Sequence, residues 1–339
     1  MFKTKIITTL GPSSFNEKVI KDFKKLGVFL YRLNLSHTTV SQLKSKIKFL
    51  KKLKVKNICI DTEGAQIRTT KIKQKIYLKA GTKLKIFIGS KNSSKRVVYL
   101  YPDFNLLSAK VGSKISIGFD DLVMKIIKVD KLKYYILVEV INPGILDSNK
   151  GVHFDNHISL NSLTKKDLEC IKIAVKNKIN FFALSFANKG DDVSNLRKLI
   201  PYKSFIVSKI ETKNAIKNLN RICDESNALL IDRGDLSRYV DLSRIPYAQQ
   251  YIIKEGHKKR KPVYVATNLL ENMIKFSSPT RAECNDIYNA LNQKVDGLVL
   301  AAESAIGNDP VKCVKFLKDF INVYNLFNKN NNIKRFITK

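Results

Sequence analysis

Phe205-Ile206-Val207-Ser208-Lys209-Ile210-Glu211, followed by Ala228-Leu229-Leu230-Ile231-Asp232-Arg233-Gly234-Asp235-Leu236, reads as two buried strands whose far ends turn polar. Each opens as a short, uninterrupted apolar run, the pattern of a strand covered on both faces. Lys209 and Glu211 lie at the end of the first run, and Asp235 lies just past the end of the second. Two carboxylates from neighbouring strand ends can hold a divalent metal, with water and substrate completing its shell. A lysine beside such a metal can stabilise an enolate or a phosphoryl group in transfer. The two stretches therefore point to a parallel sheet with enolate or phosphoryl chemistry at one edge.

Working outward, the same rhythm recurs. Strand-like runs fall at Lys5–Thr9, Phe29–Asn34, Asn57–Asp61, Phe181–Ser185, Phe205–Lys209, Ala228–Ile231, Val263–Thr267 and Gly297–Leu300. Most are followed by helical periodicity, as in Val40–Leu53, Lys165–Lys176 and Ala248–Lys258. Eight such units predict an α/β protein, a (β/α)8 barrel of the TIM type. One break interrupts them. Between about Arg68 and His157 the chain turns β-rich, with runs such as Lys83–Ile88, Lys114–Ile117 and Tyr134–Val140. Turn signals at Gly81, Gly112 and Pro143-Gly144 punctuate it. This reads as a small β domain inserted after strand 3. The expected organisation is a first barrel part over 1–68, the insertion over 69–157, a second barrel part over 158–326 and a frayed basic tail over 327–339.

The net charge of +33 suits anionic partners. Lysines are spread along the whole chain, with no arginine-and-aromatic block, so no specific nucleic-acid surface is expected. No apolar stretch approaches the roughly 20 residues of a membrane span, and no signal-peptide pattern opens the chain. Cys59, Cys170, Cys223, Cys284 and Cys313 form no C-x-x-C pair. Buried, reduced thiols in a cytoplasmic protein are expected.

In barrels of this kind the active site lies at the carboxyl rim. Read in order, the strand ends carry Arg32 and Asn34, Asp61, Ser185 and Phe186, Lys209 and Glu211, Asp232 to Asp235, Thr267, and Glu303. Packing does not explain so many polar residues at successive strand ends. Each alone has a bland reading: a rim ion pair for Lys209 with Glu211, a turn cap for Asp61, Ser36 or Thr62, a solvated loop for His37, and one lysine among many for Lys150. Together they favour a site.

The chain resembles the pyruvate kinase family. The motifs that carry the resemblance are Lys3-Thr4-Lys5-Ile6 with Thr9-Leu10-Gly11-Pro12-Ser13-Ser14; Arg32-Leu33-Asn34-Leu35-Ser36-His37; Asp61-Thr62 with Gly64 and Ile67-Arg68-Thr69; Asp120-Asp121; Lys150-Gly151-Val152; Ser208 to Glu211; Arg233 to Leu236; Ala266-Thr267 with Leu270-Glu271 and Met273; and Pro279-Thr280-Arg281-Ala282-Glu283. They run collinearly from residue 3 to about residue 317. The resemblance implies transfer of a phosphoryl group from phosphoenolpyruvate to ADP, giving pyruvate and ATP. It implies Glu211 and Asp235 as ligands of Mg2+ or Mn2+. Lys209 would stabilise charge on the phosphoryl group and the enolate oxygen, Thr267 would lie beside the enolate carbon, and Arg32 would clamp phosphate. Backbone N–H groups around Arg233-Gly234-Asp235 would cradle the substrate carboxylate. Asn34, Ser36, Asp61 and Thr62 would form a K+ site. Arg32, His37, Arg68 and Lys150 would face the nucleotide phosphates, with the inserted domain acting as a lid. A homo-oligomer through the barrel is a further implication.

Several positions depart from the family's pattern. Glu63 stands where the family has lysine. Gln66 replaces a glutamate tied to K+ dependence, which leaves the K+ requirement open. Asp232 replaces alanine, Ser237 glycine and Asn268 glutamine, while Ala301 and Ala302 stand where the family reads Ser-Gly. Asp232 is expected to weaken anion binding near the carboxylate pocket unless it turns away or pairs with Arg238. The family's C-terminal α/β effector domain is not expected here. Two alternatives follow from these departures: a relative acting on a different enol phosphate, or a non-catalytic protein that binds nucleotide.

Overall fold

The computed structural model describes residues 4–118, 122–156 and 158–329. Lys3, Asp120, Asp121 and the tail beyond Lys329 lie outside the described residues. The chain divides into two compact units, one running up to Gly64 and resuming at Lys165, the other spanning Ala65–Thr164.

In the first unit eight parallel strands close into a barrel: β1 (Lys5–Thr9), β2 (Leu30–Asn34), β3 (Ile58–Asp61), β4 (Phe181–Leu184), β5 (Phe205–Ile210), β6 (Ala228–Asp232), β7 (Val263–Ala266) and β8 (Gly297–Leu300). Each strand pairs with its neighbours in sequence, and β8 returns to β1 with Lys5 opposite Gly297. A helix follows each strand: α1 (Glu17–Leu26), α2 (Val40–Lys52), α3 (Lys165–Lys176), α4 (Gly190–Arg197), α5 (Leu219–Glu225), α6 (Ile245–Lys258), α7 (Arg281–Asn292) and α8 (Pro310–Phe327).

Local sequence explains where the helices start. Asn16 Oδ1 accepts the Val19 N–H to cap α1, and Gly27 ends that helix in the left-handed region at φ +82°. Thr39 with Gln42 and Thr280 with Glu283 form reciprocal capping boxes on α2 and α7. The Thr280-to-Glu283 motif thus has a structural use of its own. No helix among the described residues is long and apolar enough to cross a membrane.

The barrel interior is filled by Ile7, Leu30, Cys59, Ala183, Val207, Ala228, Leu230, Tyr264, Ala266 and Val299. Strand side chains alternate faces with a period of two. Two residues beyond Leu30, Cys59, Val207 and Leu230 stand Arg32, Asp61, Lys209 and Asp232. Each of these four strands therefore carries one inward face from apolar core to charged rim.

The second unit is a separate closed barrel of seven strands: Ile67–Thr69, Lys83–Ile88, Val97–Tyr101, Lys114–Ile117, Leu122–Asp130, Tyr135–Asn142 and Gly151–Phe154. Alternate residues such as Leu84 and Ile86, Ile115 and Ile117, and Met124 and Ile126 form its core. Two details differ from the sequence reading. The strand Ile67–Thr69 pairs with Gly151–Phe154 and Val97–Tyr101, so the second unit begins at Ala65 rather than after Arg68. Gly144 is not a turn residue but opens a strand, Gly144–Leu146, paired with Ile76–Leu78. A Cβ there would lie 2.9 Å from the Leu122 backbone, so glycine answers close approach.

Gly64, just after β3, has φ +70°, and a Cβ there would lie 2.5 Å from the Ser185 carbonyl oxygen. Gly64→Ala should cost about 2–3 kcal/mol of stability from combined strain and overlap. Urea unfolding checks this, and an unchanged midpoint would contradict it.

Candidate active site

Lys209 lies at the centre of the barrel's carboxyl rim and is only 5% exposed. Its Nζ is 2.8 Å from Glu211 Oε1, 3.5 Å from Asp232 Oδ2 and 3.8 Å from Asp61 Oδ1. It also donates to Ser185 Oγ at 3.2 Å. Burial opposes the charged ammonium, but attraction to Asp61, Glu211 and Asp232 outweighs it and raises the lysine pKa above its ordinary value. Arg32 extends the network. Its guanidinium is 3.2 Å from Asp61 Oδ2, and Nε donates to Thr9 Oγ1 at 2.9 Å.

Glu211 is fully buried. Its Oε2 accepts the Phe186 N–H at 2.6 Å, from a residue held at φ +52°. Its Oε1 is paired with the Lys209 ammonium at 2.8 Å and has no other partner. Burial raises the Glu211 pKa, Lys209 pulls it back, and Asp235 and Asp232 push it further up. Ligand oxygens of Glu211, Asp232 and Asp235 all lie within 4.8 Å of one another. An all-oxygen, acidic donor set, with Glu211 Oε1 held only by the Lys209 ammonium, fits a hard divalent cation such as Mg2+ or Mn2+.

The loop after β6 and the loop after β7 are tied together. Thr267 sits at φ +72°, unusual for a β-branched residue. Its Oγ1 accepts the Gly234 N–H at 2.9 Å. That N–H is therefore engaged, and a substrate carboxylate would have to compete with the hydroxyl for it. The Arg233 side chain donates to the Thr267 carbonyl at 2.5 Å and to Asp286 on α7 at 2.7 Å. Arg238 lies 3.4 Å from Asp235.

Asn34 and Asp61 are register partners on β2 and β3, with Thr62 following. Asn34 Oδ1 caps the turn Leu35–His37 by accepting the Ser36 N–H at 2.8 Å, and Thr62 Oγ1 accepts the Ser185 N–H at 3.0 Å. His37 is exposed in that turn. Arg68 and Lys150 are brought together in the second unit, where Arg68 pairs with Gly151 and the Lys150 N–H donates to Thr69 Oγ1 at 2.9 Å.

The departures now have partners. Glu63 pairs with Lys166 at 2.9 Å, and its N–H donates to Asp167 at 2.8 Å. Gln66 is buried within the second unit. Asp232 faces Lys209 and joins the carboxylate cluster, a placement the sequence reading did not foresee. Glu303, by contrast, accepts the Leu270 and Ala301 N–H groups and serves the backbone. Ser185 and Thr9 were the polar partners that sequence reasoning gave no role. The two-residue continuation of the inward face identifies Thr9 from Ile7 and Asp232 from Leu230.

Residues 1–314 match the family model described as the pyruvate kinase barrel domain. The chain belongs to the pyruvate kinase family. It is 32% identical over 323 residues to a pyruvate kinase of Thermoplasma acidophilum, covering 94% of this chain and 57% of that protein. It is 33% identical over 331 residues to a pyruvate kinase of Thermotoga maritima, covering 94% of this chain and 70% of that protein. With the Dictyostelium discoideum pyruvate kinase the identity is 33% over 329 residues, 93% of this chain and 65% of the relative. The chain thus spans only about half to two thirds of the length of the curated relatives it matches.

Removing the central ammonium leaves Glu211 and Asp232 without their cationic partner, while Asp61 keeps Arg32. Lys209→Met should therefore cost about 3 kcal/mol of stability near neutral pH. Glu211, whose folded pKa is already raised, loses the attraction of Lys209 and binds more protons folded than unfolded, so the deficit grows as pH rises and is complete above that raised pKa. It shrinks as pH falls towards the ordinary carboxylate range. Urea unfolding in chelator-treated buffer at about pH 8 and about pH 5 reads this directly. A deficit that does not change with pH would contradict the assignment.

Proposed function

We propose that this chain carries pyruvate kinase activity, moving a phosphoryl group from phosphoenolpyruvate to ADP. The observation that carries the reading is the buried Lys209 flanked by Glu211, Asp61 and Asp232 at the barrel rim, in a chain of this family. In the reaction the bond between phosphorus and the enol oxygen breaks. A bond forms from phosphorus to a terminal phosphate oxygen of ADP. The enolate takes up one proton at carbon and becomes pyruvate.

Phosphoryl transfer needs positioning and charge neutralisation more than covalent chemistry. Lys209 stays charged, so it stabilises negative charge as it moves onto the enol oxygen. Arg32, held by Asp61 and Thr9, presents a fixed guanidinium to phosphate oxygens. Glu211 and Asp235 would hold Mg2+ or Mn2+, whose charge offsets that of the phosphoryl oxygens. Thr267 orients the Gly234 amide and stands beside the enolate carbon. Arg233, by gripping Asp286 and the Thr267 carbonyl, fixes the turn that receives the substrate carboxylate. Asn34, Ser36, Asp61 and Thr62 are assigned to K+, and His37, Arg68 and Lys150 to nucleotide phosphates. Free thiols, four of them buried, suit a reducing, cytoplasmic setting. The exposed Leu242, Tyr247 and Tyr251 on and before α6 suit a homo-oligomer through the barrel.

Pyruvate release from phosphoenolpyruvate and ADP with Mg2+, coupled to a dehydrogenase, tests the reading. Lys209→Met should lower kcat by at least about a hundredfold. Replacing K+ with Na+ in the same assay should slow the wild type if the K+ assignment holds. No turnover by folded, metal-bound protein would overturn the activity and favour a different enol phosphate or nucleotide binding alone.

A further inference from the structure

We propose that Asp232 is a third carboxylate ligand of the divalent cation, so that this chain holds the cation without waiting for substrate oxygens. The inference rests on the reading of Glu211 and Asp235 as cation ligands. Asp232 stands where the family's pattern has an alanine, so the extra ligand belongs to this chain's own sequence.

Geometry supports it first. Asp232 is the last residue of β6 and continues the inward face of Ala228 and Leu230. It is 6% exposed, and it has a carboxylate oxygen within 4.8 Å of ligand oxygens on both Glu211 and Asp235. It caps nothing: at the start of the single turn Arg233–Leu236 its side chain makes no capping hydrogen bond. The second support is Glu211 Oε1, which is buried and whose one partner is the Lys209 ammonium at 2.8 Å, so the oxygen keeps a lone pair for a cation.

Charge counting gives the third. The connected rim holds four carboxylates, Asp61, Glu211, Asp232 and Asp235, against three cations, Arg32, Lys209 and Arg238. With alanine at 232 the count would be three against three. With all four carboxylates ionised, Asp232 leaves one negative charge in excess, which a divalent cation would neutralise. Asp232 also faces the Lys209 ammonium at 3.5 Å, which keeps its carboxylate turned toward the cluster rather than into solvent.

The test is direct Mn2+ binding to the full chain with no substrate or nucleotide present, read from the loss of the free Mn2+ paramagnetic resonance signal. Wild type, Asp232→Ala, Asp232→Asn and Asp235→Ala are compared, with circular dichroism reporting the fold of each. Asp232→Ala and Asp232→Asn should both weaken Mn2+ binding at least about tenfold. The rise in melting temperature that Mn2+ gives the wild type should shrink in both. The near-isosteric asparagine guards against a folding defect. If wild type binds, Asp235→Ala does not, and both Asp232 variants bind as the wild type does, Asp232 is only a counter-ion to Lys209 and the inference is overturned. If wild type and Asp235→Ala bind equally poorly, the ligand reading itself fails, and the inference with it. Pyruvate formation is scored separately and decides neither outcome.

Discussion

A single ammonium group, Lys209 Nζ, is surrounded by carboxylates from three other positions on the barrel rim. Taking a charge out of water costs several kcal/mol, so a buried lysine is tolerable only where opposite charge surrounds it. Here the compensation comes from β3 through Asp61, from the end of β5 through Glu211 and from β6 through Asp232. Those strand ends must therefore hold their relative heights, which the barrel's register fixes. Arg32 on β2, anchored to Asp61 and to Thr9 on β1, carries the same network around the rim. The polar rim is thus built on the barrel's closure, and its chemistry depends on that closure.

Much of this was legible in the sequence because the barrel uses the simplest of patterns. Short apolar runs with polar ends marked all eight strands, and two of them, Lys5–Thr9 and Gly297–Leu300, were read at their observed limits. Collinear motifs pointed to Lys209, Glu211 and Asp235, and the structure brings these together. What escaped was long-range. Asp232 looked like a neighbour of the anion cradle, because a sequence does not show which way a strand end faces. Counting in twos from Leu230 would have turned it inward. The Gly234 amide looked available because nothing in the sequence says that the Thr267 hydroxyl, on another strand end, accepts it. Arg68 fell on the wrong side of a boundary because the strand Ile67–Thr69 is only three residues long and finds its partners far along the chain.

The substitutions that set this chain apart are chemically coherent. Glu63, where a lysine is usual for the family, meets Lys166. Asp232, where an alanine is usual, meets Lys209 and the cation cluster. Both introduce a buried acid, and both have a cation within ion-pair distance. An unpaired buried charge would be strongly destabilising, so each acid is tolerated through its partner. Phe186, Thr267 and Asn268 have positive φ at or just beyond strand ends of the rim. Phe186 presents its amide to Glu211, and Thr267 presents its hydroxyl to the Gly234 amide and its carbonyl to Arg233.

The central claim is that this rim moves a phosphoryl group between an enol oxygen and a nucleotide. Phosphorus magnetic resonance of phosphoenolpyruvate, ADP and Mg2+ incubated with the protein follows that group atom by atom. The account predicts that the enol phosphate resonance declines while the terminal phosphate resonance of ATP grows in step. An unchanged spectrum, or growth of inorganic phosphate alone, would contradict it.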